Sequence, residues 1–62
     1  MIGAFKKFSI YGPVYKVVKL AGEDPVKGVM VEILVLESGE ITTLPFKDVE
    51  EDPDAESFNW IN

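Results

Sequence analysis

The residues of this chain that could do chemistry are almost all carboxylates. The last seventeen, Phe46–Asn62 (FKDVEEDPDAESFNWIN), hold six of them: Asp48, Glu50, Glu51, Asp52, Asp54 and Glu56. The only tryptophan, Trp60, stands two residues before the last. Such a run suits cation binding, acid–base work between facing carboxyls, or electrostatic docking.

Cation binding fails on spacing. In an EF-hand loop, oxygen ligands recur at alternate positions, a glycine makes the sharp turn at the sixth, and a bidentate glutamate closes the loop at the twelfth. Counted from Asp48, the residues Glu50, Asp52, Asp54 and Glu56 fall on ligand positions. Pro53, however, takes the place of the glycine and Asn59 that of the glutamate. A solvated acidic surface is the expectation, with no metal site.

Catalysis lacks its parts. The chain has no cysteine and no histidine. That removes disulfides, thiolate and imidazole ligands, and the usual partners of a nucleophile. Ser9, Ser38 and Ser57 therefore have no histidine to activate them. Eleven acids in 62 residues make many chance pairs, so no carboxyl pair points to glycosidase chemistry. The five glycines are scattered as turn residues and form no phosphate loop. A domain this small also rarely encloses a ligand-sized pocket. The expectation is a non-enzymatic protein with no cofactor.

Electrostatic docking is left, and the placement of charge favours it. Net charge is −5, unevenly spread. Residues 48–62 contain the six acids above and no base, whereas residues 1–22 contain Lys6, Lys7, Lys16 and Lys19 and no acid. Such a chain suits a basic partner, or a tail folded back on its own lysines. Phe58 and Trp60 beside the acids either complete a thin core or anchor the partner as buried aromatics do. The partner-binding set is thus Asp48, Glu50, Glu51, Asp52, Asp54, Glu56, Phe58 and Trp60. An alternative surface interleaves Lys6, Lys7, Lys16 and Lys19 with Tyr11 and Tyr15. Basic and aromatic residues together hold single-stranded nucleic acid by phosphate contact and stacking. Four lysines without arginine, on an acidic chain, make a poor phosphate surface, so nucleic acid ranks below a basic protein.

Short strands must position these residues. Ile2–Ile10 reads as an irregular segment or edge strand, ended by Tyr11-Gly12-Pro13. Val14–Leu20 is β-branched and aromatic, hence a strand, and Ala21–Pro25 has loop composition. Gly28–Leu36 is apolar on both faces, as in a central strand covered on both sides. Glu37–Glu40 is a hairpin link, and Glu40–Phe46 the return strand, with Pro45 at its end or at an outer edge. Phe46–Glu51 reads as a single turn. Asp52-Pro53 reads as a capped helix start, placing Ala55, Phe58 and Ile61 on one side. An extended tail in which Phe58 and Trp60 share a face competes with that helix. The whole chain reads as one mostly β domain, residues 1–62, with 53–62 an acidic and aromatic extension. The expected architecture is an SH3-like curled sheet or partly open barrel of four to five short strands with a C-terminal turn or helix. A three-stranded sheet with a C-terminal helix is the second choice.

Three stretches, YGPVYKVV, VLESGEITTLPFKDV and DPDA, resemble a group of short bacterial proteins of unassigned function. The resemblance runs from about Phe5 to Ala55 and rests on turn chemistry. It implies a small stand-alone β-domain of bacterial or phage origin, similar in size and acidity to antitoxins and other accessory inhibitors.

Without a staple, a chain that buries only about 60% of its unfolded surface must lean on its core, a partner or itself. An apolar content of 47% exceeds what so small a core needs. A homo-oligomer hiding that surplus, paired through Val14–Leu20 or Glu40–Phe46, is therefore the second function class. No run approaches the roughly 20 apolar residues of a membrane span, and Met1–Ile10 lacks a signal-peptide core. The expected compartment is the cytoplasm.

Overall fold

The structure is a computed structural model that describes residues 2–55. Runs of β-branched and aromatic residues form four strands: β1 Phe5–Lys7, β2 Val14–Asp24, β3 Gly28–Val35 and β4 Ile41–Pro45. A six-residue helix, α1 (Phe46–Glu51), follows directly. The strands make one antiparallel sheet in the order β1-β2-β3-β4, and it does not close into a barrel. The mostly β expectation holds, with four strands and not three.

The register sorts the side chains into two faces. Tyr15 pairs with Val35 and Val17 with Ile33. Together with Val31 and the helical Val49 they form the buried core, with Leu44 and Phe46 packed against it. The opposite face carries Val14, Lys16, Val18, Met30, Glu32 and Leu34, all half-buried. β3 is therefore central in the sheet but fully covered on one face only, contrary to its two-sided apolar pattern. In a single-layer sheet α1 can shield just one side.

Two strands differ from their expected limits. β2 runs past Leu20 to Asp24, because Glu23 and Asp24 pair with Val29 and Gly28. Asp24 itself holds the following turn: its Oδ1 accepts the Val26 and Lys27 amides at 2.8 and 2.9 Å. Register shifts after Val17 and after Leu20 bend the strand. β1 shrinks to three residues at the edge of the sheet, and its outer side is not left bare. Its amides bond β2 on one side; on the other, Lys7 N–H donates to the Pro53 carbonyl and Phe5 accepts from Ala55 N–H.

The helix expected from Pro53 is the main correction. Asp52 is the C-cap of α1, extended at φ −74° and ψ 146°, and Asp54 bridges antiparallel to Lys6. A residue before proline is pushed out of the α region, and β1 offers an open ladder at that point. Ala55 is thus buried beside β1 and not on a helix. Phe58 and Ile61, its expected helical companions, and Trp60 lie outside the described residues.

Candidate functional site

The acidic run is positioned by two residues that carry no charge. Phe46 and Val49 stand three apart, one helical turn, and both face the core. Pro45 ends β4 and opens α1 without a side-chain cap. Once Val49 is buried, the helix turns Lys47, Asp48, Glu50 and Glu51 outward, and all four are exposed. Asp48 lies in the first turn, where the helix dipole favours an acid.

The next two acids are tied down. Asp52 Oδ2 accepts a hydrogen bond of 2.5 Å from the Tyr15 hydroxyl. Tyr15 is fully buried, and its ring lies 4.7 Å from that of Phe8. Burial of the hydroxyl, then the Asp52 hydrogen bond, hold its pKa far above the usual tyrosine value. Asp54 lies 3.4 Å from Lys6 Nζ. The Asp54 side chain is 75% exposed, but Lys6 is almost wholly buried.

These contacts gather five acids of the partner-binding set, Asp48, Glu50, Glu51, Asp52 and Asp54, on α1 and the segment just after it. Glu56, Phe58 and Trp60 are outside the described residues. Among the described residues no cluster of acids could hold a metal ion. The carboxylates spread outward along a helix and an extended segment and do not converge.

The alternative nucleic-acid set is taken apart. Tyr15 and Lys6 are buried on the core face. Lys7, Lys16 and Lys19 follow the opposite face: Lys16 pairs with both Phe5 and Leu34, and Lys19 pairs with Glu32. Lys16 Nζ sits 5.7 Å from the Phe5 ring centroid. Tyr11 is 95% exposed at the β1–β2 loop. A stacking platform needs aromatic faces beside free cations, and Tyr11 has no lysine of the set within its own loop.

An apolar concavity of ≈ 360 Å³ is lined by Gly12, Pro13, Val14, Leu36 and Glu37. It is larger than the chain length leads one to expect, and it arises where the β1–β2 loop meets the β3–β4 turn. Gly12 lets the β1–β2 loop close on itself, since a Cβ there would stand 2.9 Å from Phe8 Cβ and from the Ser9 amide nitrogen. Glu37 is its only ionisable lining group, so it holds no nucleophile–base pair. Among the described residues no helix is long and apolar enough to cross a membrane.

Sequence reasoning missed the Tyr15–Asp52 contact, whereas the Lys6–Asp54 pair is an instance of the acidic segment folding back on the chain's own lysines. The signal was present in Asp52-Pro53, which disfavours a helical Asp52 as strongly as it favours proline at a helix start. Nothing local distinguishes the two readings; the edge of β1 does.

The chain belongs to DUF5397, a family of unknown function whose model matches residues 1–56. No curated protein matches it.

Proposed function

We propose that this member of DUF5397 is a non-catalytic protein–protein interaction module that offers its acidic side to a basic protein. The observation that carries the reading is the spatial separation of charge. Asp48, Glu50 and Glu51 project from α1 on the core-face side of the sheet, whereas Lys7, Lys16 and Lys19 follow the other face. Of the lysines on the acidic side, Lys6 is buried and paired with Asp54, and Lys47 is exposed on α1 among three acids. A predominantly acidic surface speeds encounter with a cationic partner and rejects wrong ones. Phe58 and Trp60 would supply affinity beside it.

An antitoxin or inhibitor covering a basic nuclease cleft, in the cytoplasm, is the sharpest version of this reading. Size and acidity suggest it. Connectivity supports the SH3-like part: the Pro53–Ala55 segment lies on β1, after a helical turn, as a fifth strand would.

The test compares wild-type chain with Glu50→Lys plus Glu51→Lys as bait in cells of origin, followed by kinetics on the recovered partner. The reading expects a basic partner whose association slows as salt rises and which the double variant loses. A partner indifferent to both salt and charge reversal overturns it.

A further inference from the structure

We propose that the outer edge of β4 pairs antiparallel with β4 of a second copy of this chain, about a two-fold axis through Thr43. β4 ends the sheet; among the described residues no strand pairs with its outer edge. Natural edges are blunted by charges, bulges or prolines in mid-strand. Ile41–Pro45 has no charge, its register with β3 has no shift, and its proline stands last.

The backbone alternation says what this edge offers. Val35 N–H donates to the Glu40 carbonyl, in line with the β3–β4 register. Antiparallel partners alternate between bonded and non-bonded pairs. Thr42 and Leu44 therefore spend their amides on β3, and Ile41 and Thr43 aim theirs outward. Pro45 also faces outward but has no N–H to leave unmet. About an axis through Thr43, the two Thr43 residues exchange N–H and carbonyl. Each Ile41 N–H then meets the carbonyl of Pro45 of the partner subunit, so the donor-free residue is used only as an acceptor.

A second copy fits better than an arbitrary extended peptide. Ile41 is 63% exposed, and this pairing lays Pro45 of the partner subunit beside it. Glu40 precedes the strand and Lys47 follows it, both exposed. Antiparallel pairing brings Glu40 of one copy next to the Lys47 end of the other. α1 leaves the sheet plane toward the core face, where Val49 is buried, so the helix does not block the edge.

Sedimentation over a concentration series up to millimolar tests this. The wild type should dimerise, and more strongly at higher salt, because each copy carries −5. Binding of a basic partner should weaken with salt, so failure of one reading is distinguishable from failure of the other. Thr43→Lys places like charges together across the axis, yet faces Glu32 within its own sheet, and should weaken the dimer at least tenfold. Thr43→Cys, the only thiol in the chain, should oxidise to a linked dimer, whereas Thr42→Cys, on the opposite face, should not. A wild type monomeric throughout, a Thr43→Lys dimer of undiminished strength, or equal crosslinking at positions 42 and 43 overturns the proposal.

Discussion

The Tyr15 hydroxyl donates to Asp52 Oδ2 across 2.5 Å, joining residues 37 positions apart in sequence. One end of the bond is the beginning of β2, inside the core; the other is the exit of α1. With Lys6–Asp54 and the two backbone bonds to β1, it decides where the chain travels after the helix. The acidic side of the molecule is thereby held against the sheet.

Removing only the hydroxyl isolates this bond. Tyr15→Phe keeps the ring packing on Phe8 and should cost about 1.5 kcal/mol in urea unfolding, the usual worth of a hydrogen bond to a charged group. For a domain of this size that is a fall in Tm of several degrees. A variant as stable as wild type would mean that Asp52 does not anchor the segment.

The same bond sets a dependence on alkaline pH. The folded-state pKa of Tyr15 is raised above its unfolded value of about 10. The folded chain then keeps a proton that the unfolded chain releases, so stability is intact below pH of about 10 and falls as pH climbs toward the folded value. The difference between wild type and Tyr15→Phe should shrink across that range. In a Tyr11→Phe background, tyrosinate absorbance of the folded protein should appear only above the usual tyrosine range.

Lys6 and Asp54 should respond unequally. Asp54→Asn leaves the buried Lys6 ammonium without its carboxylate and should cost about 1 kcal/mol. Lys6→Met keeps the stem and removes the buried charge, and should be nearly neutral. Thermal unfolding of both, and of the double variant, checks this; a costly Lys6→Met would assign the lysine a role beyond the pair.

Val49 is the only fully buried residue of α1. Val49→Ala should cost about 2 kcal/mol through lost burial and the cavity left behind. Because this residue orients the helix, the variant should also weaken binding of a basic partner although no acid is changed. Unaltered partner affinity in the folded variant would separate the helix from the docking surface.

Asp24 contributes to the acid limb. The Lys27 and Val26 amides it accepts hold its carboxyl below the usual range. A lowered folded pKa contributes stability that is present above the unfolded value and is lost as pH falls through the folded one. Asp24→Asn should flatten that part of the acid unfolding curve while retaining an acceptor for the turn, and Asp24→Ala should also loosen the β2–β3 hairpin. Amide exchange at Val26 and Lys27 reads the second effect directly.

Much of the fold is legible locally. VYKVVKL and GVMVEILV read as strands because β-branched residues fit a pleated, half-buried surface. ESGE reads as a hairpin link, and the absence of thiol and imidazole follows from residue types alone. Asp52-Pro53 was ambiguous since proline tolerates both a first helical turn and an extended chain, and only the bare edge of β1 chose between them. The two-sided apolar pattern of β3 misled because pattern counts apolar residues but not the layers available to cover them.

Chain chemistry by itself thus determined the strand-forming segments, the acidic run and the absence of thiol and imidazole, since these depend on each residue and its near neighbours. Tertiary structure decided that Lys6 and Tyr15 are buried, that Asp52 and Asp54 lie against β1, that β2 is interior along its first half, and that β4 is the strand left open among the described residues. Burial and edge exposure depend on which distant segments meet, and no local spacing encodes that.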